Sequence, residues 1–582
     1  MFIFTVKHFA IQSNTFNFMK KILFYLLTLT ILFSLSTSCD KDDPVVKDKR
    51  TLVSAVYSAY SQSFILTYSN KQTETVKATL NQNTTPPSAT AELEDGTYLY
   101  RADADTSGKA EISNEPPVTG DEVNIVTQFV YDGMSLFYLW SNDVVNKKPT
   151  EEDNDPEEYF YSILNEIDTE NGWSWITDDV NSLISGFEGE STDAFGFQPY
   201  PLFESQTSNY IIGFIRYVYP NTPAETAGLK RGEIIYKING QRITIDTYGT
   251  MYGANTTTTF EILDQNWENP REVEVTPAAI KTNPVLYSKV YEIEGKKIGY
   301  LFYTQFIENY NDSLHKAFSE FKSAGITDLV LDLRYNPGGG ISAANYLASL
   351  IAPESAVRNK EVFSIMSYND FVNNAYDNNN WDRKDYLGYY NDKFTNPLTA
   401  NLNLNKLYVI ATESSASASE LVTFCLEPYM QIEHIGEKTS GKYTASWTIH
   451  PYNDYNGRVQ SVYDESSLSS EDKSMLKNWG MQPIVGRYTD KNNKDFIATN
   501  GLIPDHPITT QERNTVTWKP IGDINDYLFA KALSLITGKP YTTTTRSFNN
   551  VQLRETNLYS PMEEVFRSSV IIDNPKLIPS EQ

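Results

Sequence analysis

Basic residues are scarce in this chain. Its 582 residues carry 48 lysines and arginines against 74 aspartates and glutamates, a formal net charge of −26. With little to neutralise phosphates, nucleic acid is excluded as a partner. Cysteine is scarcer still, with only Cys39 and Cys425, so no disulfide framework holds the fold. The five histidines (His8, His315, His434, His450 and His506) show no metal-ligand spacing, and neither a metal nor a cofactor is expected. What remains is ordinary for a globular protein, 40% hydrophobic and 21% charged. The length exceeds one core and predicts about three to five domains.

The N-terminus is an address rather than a fold. From Met19 the chain reads "MKKILFYLLTLTILFSLSTSCDKDD": two lysines, an apolar run, small polar residues, then Cys39. This predicts a secretory signal over residues 1–38, with Met1 to Phe18 as an upstream extension before a start at Met19. The cysteine closing it resembles a bacterial lipoprotein box, although Ser36 stands where leucine is usual and Leu35 lies one further out. Lipidation of Cys39 is the expectation, tethering the protein to a membrane by acyl chains alone in the envelope of a Gram-negative-type bacterium, periplasmic or surface-exposed. Cys425 lies in an apolar helical pattern and reads as a core residue.

Beyond the signal, residues 39–118 are rich in Thr, Asn, Ser and Pro and read as a polar spacer, with a small β element around "TETVKATL" and "GTYLYRA". Ile125, Phe129, Met134 and Phe137 recur at helical spacing and open a helical domain over 119–190. Alternating apolar residues at 210–218, the capped "NTPAETAG" and the hairpin signal Asn239-Gly240 follow. Pro223, Ala224, Gly228, Leu229, Gly232 and Asn239-Gly240 resemble a PDZ domain, placed at 191–280. The resemblance implies capture of a peptide C-terminus by strand addition, with Phe195, Gly196 and Phe197 of "AFGF" as the carboxylate-binding loop. From 281 to 540 apolar strands alternate with helices, which predicts an α/β core with a largely parallel sheet. It contains a long polar-aromatic insertion near 368–395. Residues 541–582 form a Thr/Asn-rich tail.

The chemistry centres on "ATESSASASELVTFC", residues 411–425. Ser417-Ala418-Ser419-Glu420 is a capping-box pattern before an apolar helix. A serine between a buried strand and a helix N-terminus is also placed for nucleophilic attack, because free N–H groups there stabilise an oxyanion. Its hydroxyl needs a base. Lys442 in "GEKTSGK" is a stronger candidate than the histidines, His450 among them. A lysine serves as base only where burial brings its pKa from about 10.4 toward 7.

Three stretches in order, "DLRYNPGGG" (332–340), "SASASE" (415–420) and "GEKTSGK" (436–442), resemble the C-terminal processing, or tail-specific, serine peptidases. That resemblance implies a Ser–Lys dyad of Ser417 and Lys442, 25 positions apart. It also implies an oxyanion hole from backbone N–H groups at Ala418 and at Gly338 or Gly339. Many members carry a glutamine four positions after the lysine; here that position is Ser446, and Tyr443 replaces the usual glycine. The expected function is an endopeptidase acting on protein C-termini presented by the PDZ domain. The rival is a peptide-binding scaffold with an impaired core.

Overall fold

The structure is a computed structural model. It describes residues 50–81, 87–113, 123–252, 256–508, 514–540, 553–556, 558, 570–573 and 575–578. The signal and Cys39 lie outside the described residues. The chain divides into two compact units, residues 1–121 and 122–582.

In the first unit the stretch expected to be a spacer is a folded β unit. Seven strands between Leu52 and Ser113 pair antiparallel throughout. Ala55 and Tyr57 of one strand and Phe64 and Leu66 of the next are buried in its core, and the Tyr57 and Phe64 rings lie 5.2 Å apart. The composition misleads because threonine and serine, counted as polar, fill the solvent face of strands well. The period-two pattern of "LVSAVYS" and "SFILTY" is the better guide.

The second unit starts with the helix Ile125–Phe137, capped by Asn124 accepting from the Val126 N–H, with Phe129, Met134 and Phe137 fully buried. The short strand Trp175–Thr177 that follows pairs with Gly480–Gln482, some 300 residues away in sequence. A β module then runs in the order Arg271–Val275, Thr258–Leu263, Ile234–Ile238, Ile211–Val218, Phe197–Phe203, Arg554–Glu555. Asn239 and Gly240 both adopt positive φ, 51° and 76°, and close a two-residue hairpin as their sequence requires.

The sheet of the α/β core is ordered Val285–Ile293, Lys296–Tyr303, Asp328–Asp332, Lys406–Ala411, Gln431–Gly436, His506–Pro507. Its first pairing is antiparallel and the remaining four are parallel. Leu329, Leu331, Leu407 and Val409 face one cluster, which includes the helices Ile341–Ile351 and Ala418–Leu426. Val330, Tyr408 and Ile410 face the helix Tyr527–Thr537 on the other side. Burial on both faces explains why these strands read as continuous apolar runs.

Arg334 joins that last helix to the sheet. Fully buried, it donates to Asp332 at 2.7 Å and to Asp526 at 2.7 and 2.9 Å, and Asp526 caps the helix through the Phe529 N–H. Burial opposes the charge on Asp526, but Arg334 outweighs it and holds the carboxyl below the usual range. Asp526→Ala would leave half of a buried guanidinium uncompensated. It is expected to lower the unfolding free energy by at least about 3 kcal/mol in denaturant titrations, and a loss below about 1 kcal/mol would contradict the network's role.

Candidate active site

The strand Lys406–Ala411 ends on a tight loop that delivers four serines to the helix Ala418–Leu426. Three of their hydroxyls are tied down. Ser414 accepts from Arg216 of the β module at 3.1 Å. Ser415 donates to the Leu333 carbonyl at 2.7 Å, and Ser419 to the Asn336 carbonyl at 2.9 Å. Ser417 is different. It is fully buried and its Oγ makes no hydrogen bond. It also holds φ 61° and ψ −115°, a conformation costly for any residue with a Cβ. The capping-box arrangement is present, with Glu420 accepting the Ser417 N–H at 2.7 Å and the Ser417 side chain facing the Glu420 N–H, but that second approach is not a hydrogen bond.

The turn Asn336–Gly340 packs directly on this serine. A Cβ built on Gly338 would stand 2.6 Å from Ser417 Cβ and 2.8 Å from its Oγ, so only glycine fits there. Gly338 and Gly339 take φ of 114° and 135°. The Gly338 N–H donates to Asn336 Oδ1 at 2.9 Å, which removes it from the two oxyanion candidates of this turn and leaves Gly339. Ala418 is the first residue of the serine helix and is fully buried.

Lys442 comes to the same place by a route the sequence did not reveal. The Glu420 carboxylate is wholly buried and accepts four hydrogen bonds. These are Ser417 N at 2.7 Å, Thr439 Oγ1 at 2.5 Å, Gly441 N at 2.7 Å and Lys442 N at 2.9 Å. One carboxylate oxygen therefore receives the backbone of both dyad candidates. Burial raises the Glu420 carboxyl above its ordinary value, and the hydrogen bonds from Thr439, Gly441, Ser417 and Lys442 oppose that rise. Lys442 is 9% exposed, whereas Lys438 is exposed. Tyr443 packs edge-on against Trp173 and Phe496.

Ser446 is buried, and its Oγ accepts from Gln482 Nε2 at 2.8 Å. An amide therefore reaches the fourth position after Lys442 from the strand Gly480–Gln482 of a separate sheet. His450 is turned elsewhere: Nδ1 accepts from the Tyr452 and Asn453 N–H groups and Nε2 faces the Lys477 carbonyl. Cys425 is buried in the core, and burial raises its thiol pKa well above the ordinary value.

In the β module, Phe195 and Phe197 turn their rings inward against Phe260. The Gly196 carbonyl receives the Tyr219 N–H at 2.8 Å, and a Cβ on Gly196 would collide with Thr222. The side chains of this loop thus belong to the module's core, and only its backbone remains as a candidate peptide contact.

Comparison with known proteins agrees with this architecture. Residues 297–508 match peptidase family S41, residues 126–175 the N-terminal domain of S41 peptidases, and residues 214–251 a PDZ domain. Residues 297–508 thus carry the likeness to peptidase family S41, and a PDZ domain precedes them in the chain. Among relatives, the carboxyl-terminal-processing protease of Synechocystis sp. is 26% identical over 54% of this chain and 63% of its own length. The carboxyl-terminal-processing protease of Picosynechococcus sp. is 26% identical over 55% and 65%. The match therefore spans just under two thirds of these relatives. A solved structure from Bacteroides fragilis assigned to the S41 proteases shares 25% identity, covers 70% of this chain and 97% of its own, and superposes with a TM-score of 0.54.

Proposed function

We propose that the protein is a serine endopeptidase of the carboxyl-terminal-processing type. The observation that carries this reading is Ser417: a strained, buried, unbonded hydroxyl on a helix N-terminus, held with Lys442 by one carboxylate. Ser417 Oγ attacks the scissile carbonyl while the neutral Lys442 amine takes the hydroxyl proton. The carbonyl oxygen becomes an oxyanion, which the Ala418 and Gly339 N–H groups stabilise. The Lys442 ammonium returns the proton to the leaving amine, and an acyl-enzyme ester remains on Ser417. Water, deprotonated by Lys442, then releases the carboxylate product and restores the serine. Ser446, backed by Gln482, orients the lysine side chain in place of the family's glutamine.

The PDZ domain supplies the substrate by binding an unfolded C-terminal segment along the strand Phe197–Phe203. Cys39, acylated, would hold the enzyme on an envelope membrane, and its partners are protein C-termini rather than nucleic acid.

The test is a serine-reactive phosphonate. The purified chain is expected to be labelled on Ser417 alone, located by peptide mass mapping. An intact chain that takes no label would favour the impaired scaffold, whose best support is the departure at Tyr443 and Ser446.

A further inference from the structure

Two stretches of the tail rest on the surfaces that the proposed function assigns to substrate. The first is Leu553–Thr556. Arg554–Glu555 pair antiparallel with the strand Phe197–Phe203, through Phe203↔Arg554 and Leu202↔Glu555. This is the free edge of the PDZ sheet, beyond its partner strand Ile211–Val218. Gln206 Nε2 donates to the Leu553 carbonyl at 2.8 Å, and Thr556 Oγ1 donates to the Pro201 carbonyl at 2.8 Å. The Arg554 guanidinium lies 3.7 Å over the Phe203 ring. An antiparallel strand here heads toward Gly196, the direction a captured C-terminus would take.

The second stretch begins at Val570. Val570–Ile571 run parallel to Thr444–Ser446, the strand that follows Lys442. Ile571 N donates to the Gly339 carbonyl and Ile572 N to the Ser446 carbonyl, both at 3.0 Å. The tail is thus wedged between the turn that packs on Ser417 and the strand that follows the lysine. Asp573 follows and accepts from Ser342 Oγ at 2.8 Å and Ser342 N at 3.3 Å. It thereby caps the 11-residue helix Ile341–Ile351, whose own N-cap Gly340 offers no side chain. Gln460 then clasps Ile578 through both its N–H and its carbonyl. Ile571 and Ile578 are each 2% exposed.

We propose that two tail stretches, residues 553–556 and residues 570–573 with 575–578, are a built-in competitor that occupies the PDZ edge and the catalytic cleft respectively, and that a protein substrate must displace them. The order of the two contacts decides between competitor and self-substrate. A protein presented by its C-terminus places the PDZ-bound residues after those in the cleft. Here the PDZ-bound residues come first, so the tail fills both surfaces without threading productively. The proposal rests on the peptidase reading for the meaning of the cleft, though not for the contacts themselves.

Ile571→Asp in the full-length chain tests it by placing a carboxylate in a dry position. Cleavage of casein, an unstructured polypeptide, is expected to rise about tenfold at sub-saturating concentration through a lower KM. A synthetic peptide of residues 570–578, added in trans, should reverse the gain competitively with kcat unchanged. Unchanged KM in a variant with the wild-type melting midpoint overturns the proposal. If the variant does not fold, hydrogen exchange on full-length Ser417→Ala decides: the Ile571 and Ile572 amides should lose protection when saturating casein is added, and retained protection overturns the proposal. Exchange requires no hydrolysis. Lost protection at these amides with no phosphonate label on the wild-type chain would therefore overturn the hydrolytic reading while supporting the competitor.

Discussion

Lys442→Ala is expected to lower kcat for peptide cleavage by at least about a thousandfold, while the chain stays folded. A serine hydroxyl near neutral pH is a weak nucleophile, and every step from attack to leaving-group departure moves one proton on and off a single base. Nothing else in the loop can take that part. Lys438 is exposed, and both His450 ring nitrogens are engaged with backbone. Lys442→Arg should be equally inactive, because a guanidinium keeps its charge and cannot accept the proton. Lys438→Ala and His450→Ala separate the alternatives, since each should retain kcat within about threefold. Near-wild-type turnover in Lys442→Ala, measured on the same unstructured substrate, would refute the dyad.

Glu420→Ala carries the second large effect, and it falls on stability and rate together. Removing the carboxylate leaves Ser417 N, Gly441 N, Lys442 N and Thr439 Oγ1 without their acceptor in a buried site. An unmet buried donor costs about 1–3 kcal/mol. Even after partial relaxation, a loss of about 4 kcal/mol in unfolding free energy is expected in denaturant titrations. Glu420→Gln keeps the shape but turns an NH2 group toward backbone donors. It should therefore remain folded yet lose about a hundredfold in kcat with little change in KM, because the nucleophile and its base drift relative to each other. Wild-type kcat in a folded Glu420→Gln chain would show that the carboxylate serves packing alone.

Local pattern reached some features of this molecule and not others. The Asn239-Gly240 hairpin was legible because two adjacent positive φ values demand those residues. The strands Asp328–Asp332 and Lys406–Ala411 were legible because burial on both faces leaves an unbroken apolar run. Ser417 stood out through the resemblance of three ordered motifs to a peptidase family, which also supplied the spacing to Lys442, since Ser-x-x-Glu before a helix is common in caps. Glu420 was visible as half of that cap; its bonds to Thr439, Gly441 and Lys442 join residues 19 to 22 positions apart and follow no periodicity. The same holds for Arg334 and Asp526, 192 positions apart. Both seats of the tail are tertiary pairings of a few residues, too short to write a strand pattern. The β unit before residue 121 was misread for another reason: bulk polarity hid an alternation that only a residue-by-residue count detects.

The pairing of Trp175–Thr177 with Gly480–Gln482 sets a timetable for the growing polypeptide. Gln482 holds Ser446, and Ser174, next to the early strand, accepts the Ile484 N–H at 2.9 Å. A nascent chain that already contains Ser417 and Lys442 therefore still lacks the strand that braces them. Closing so long a loop is slow and late. The enzyme is thus expected to emerge without a finished cutting edge and to gain one only after nearly all of it has been made.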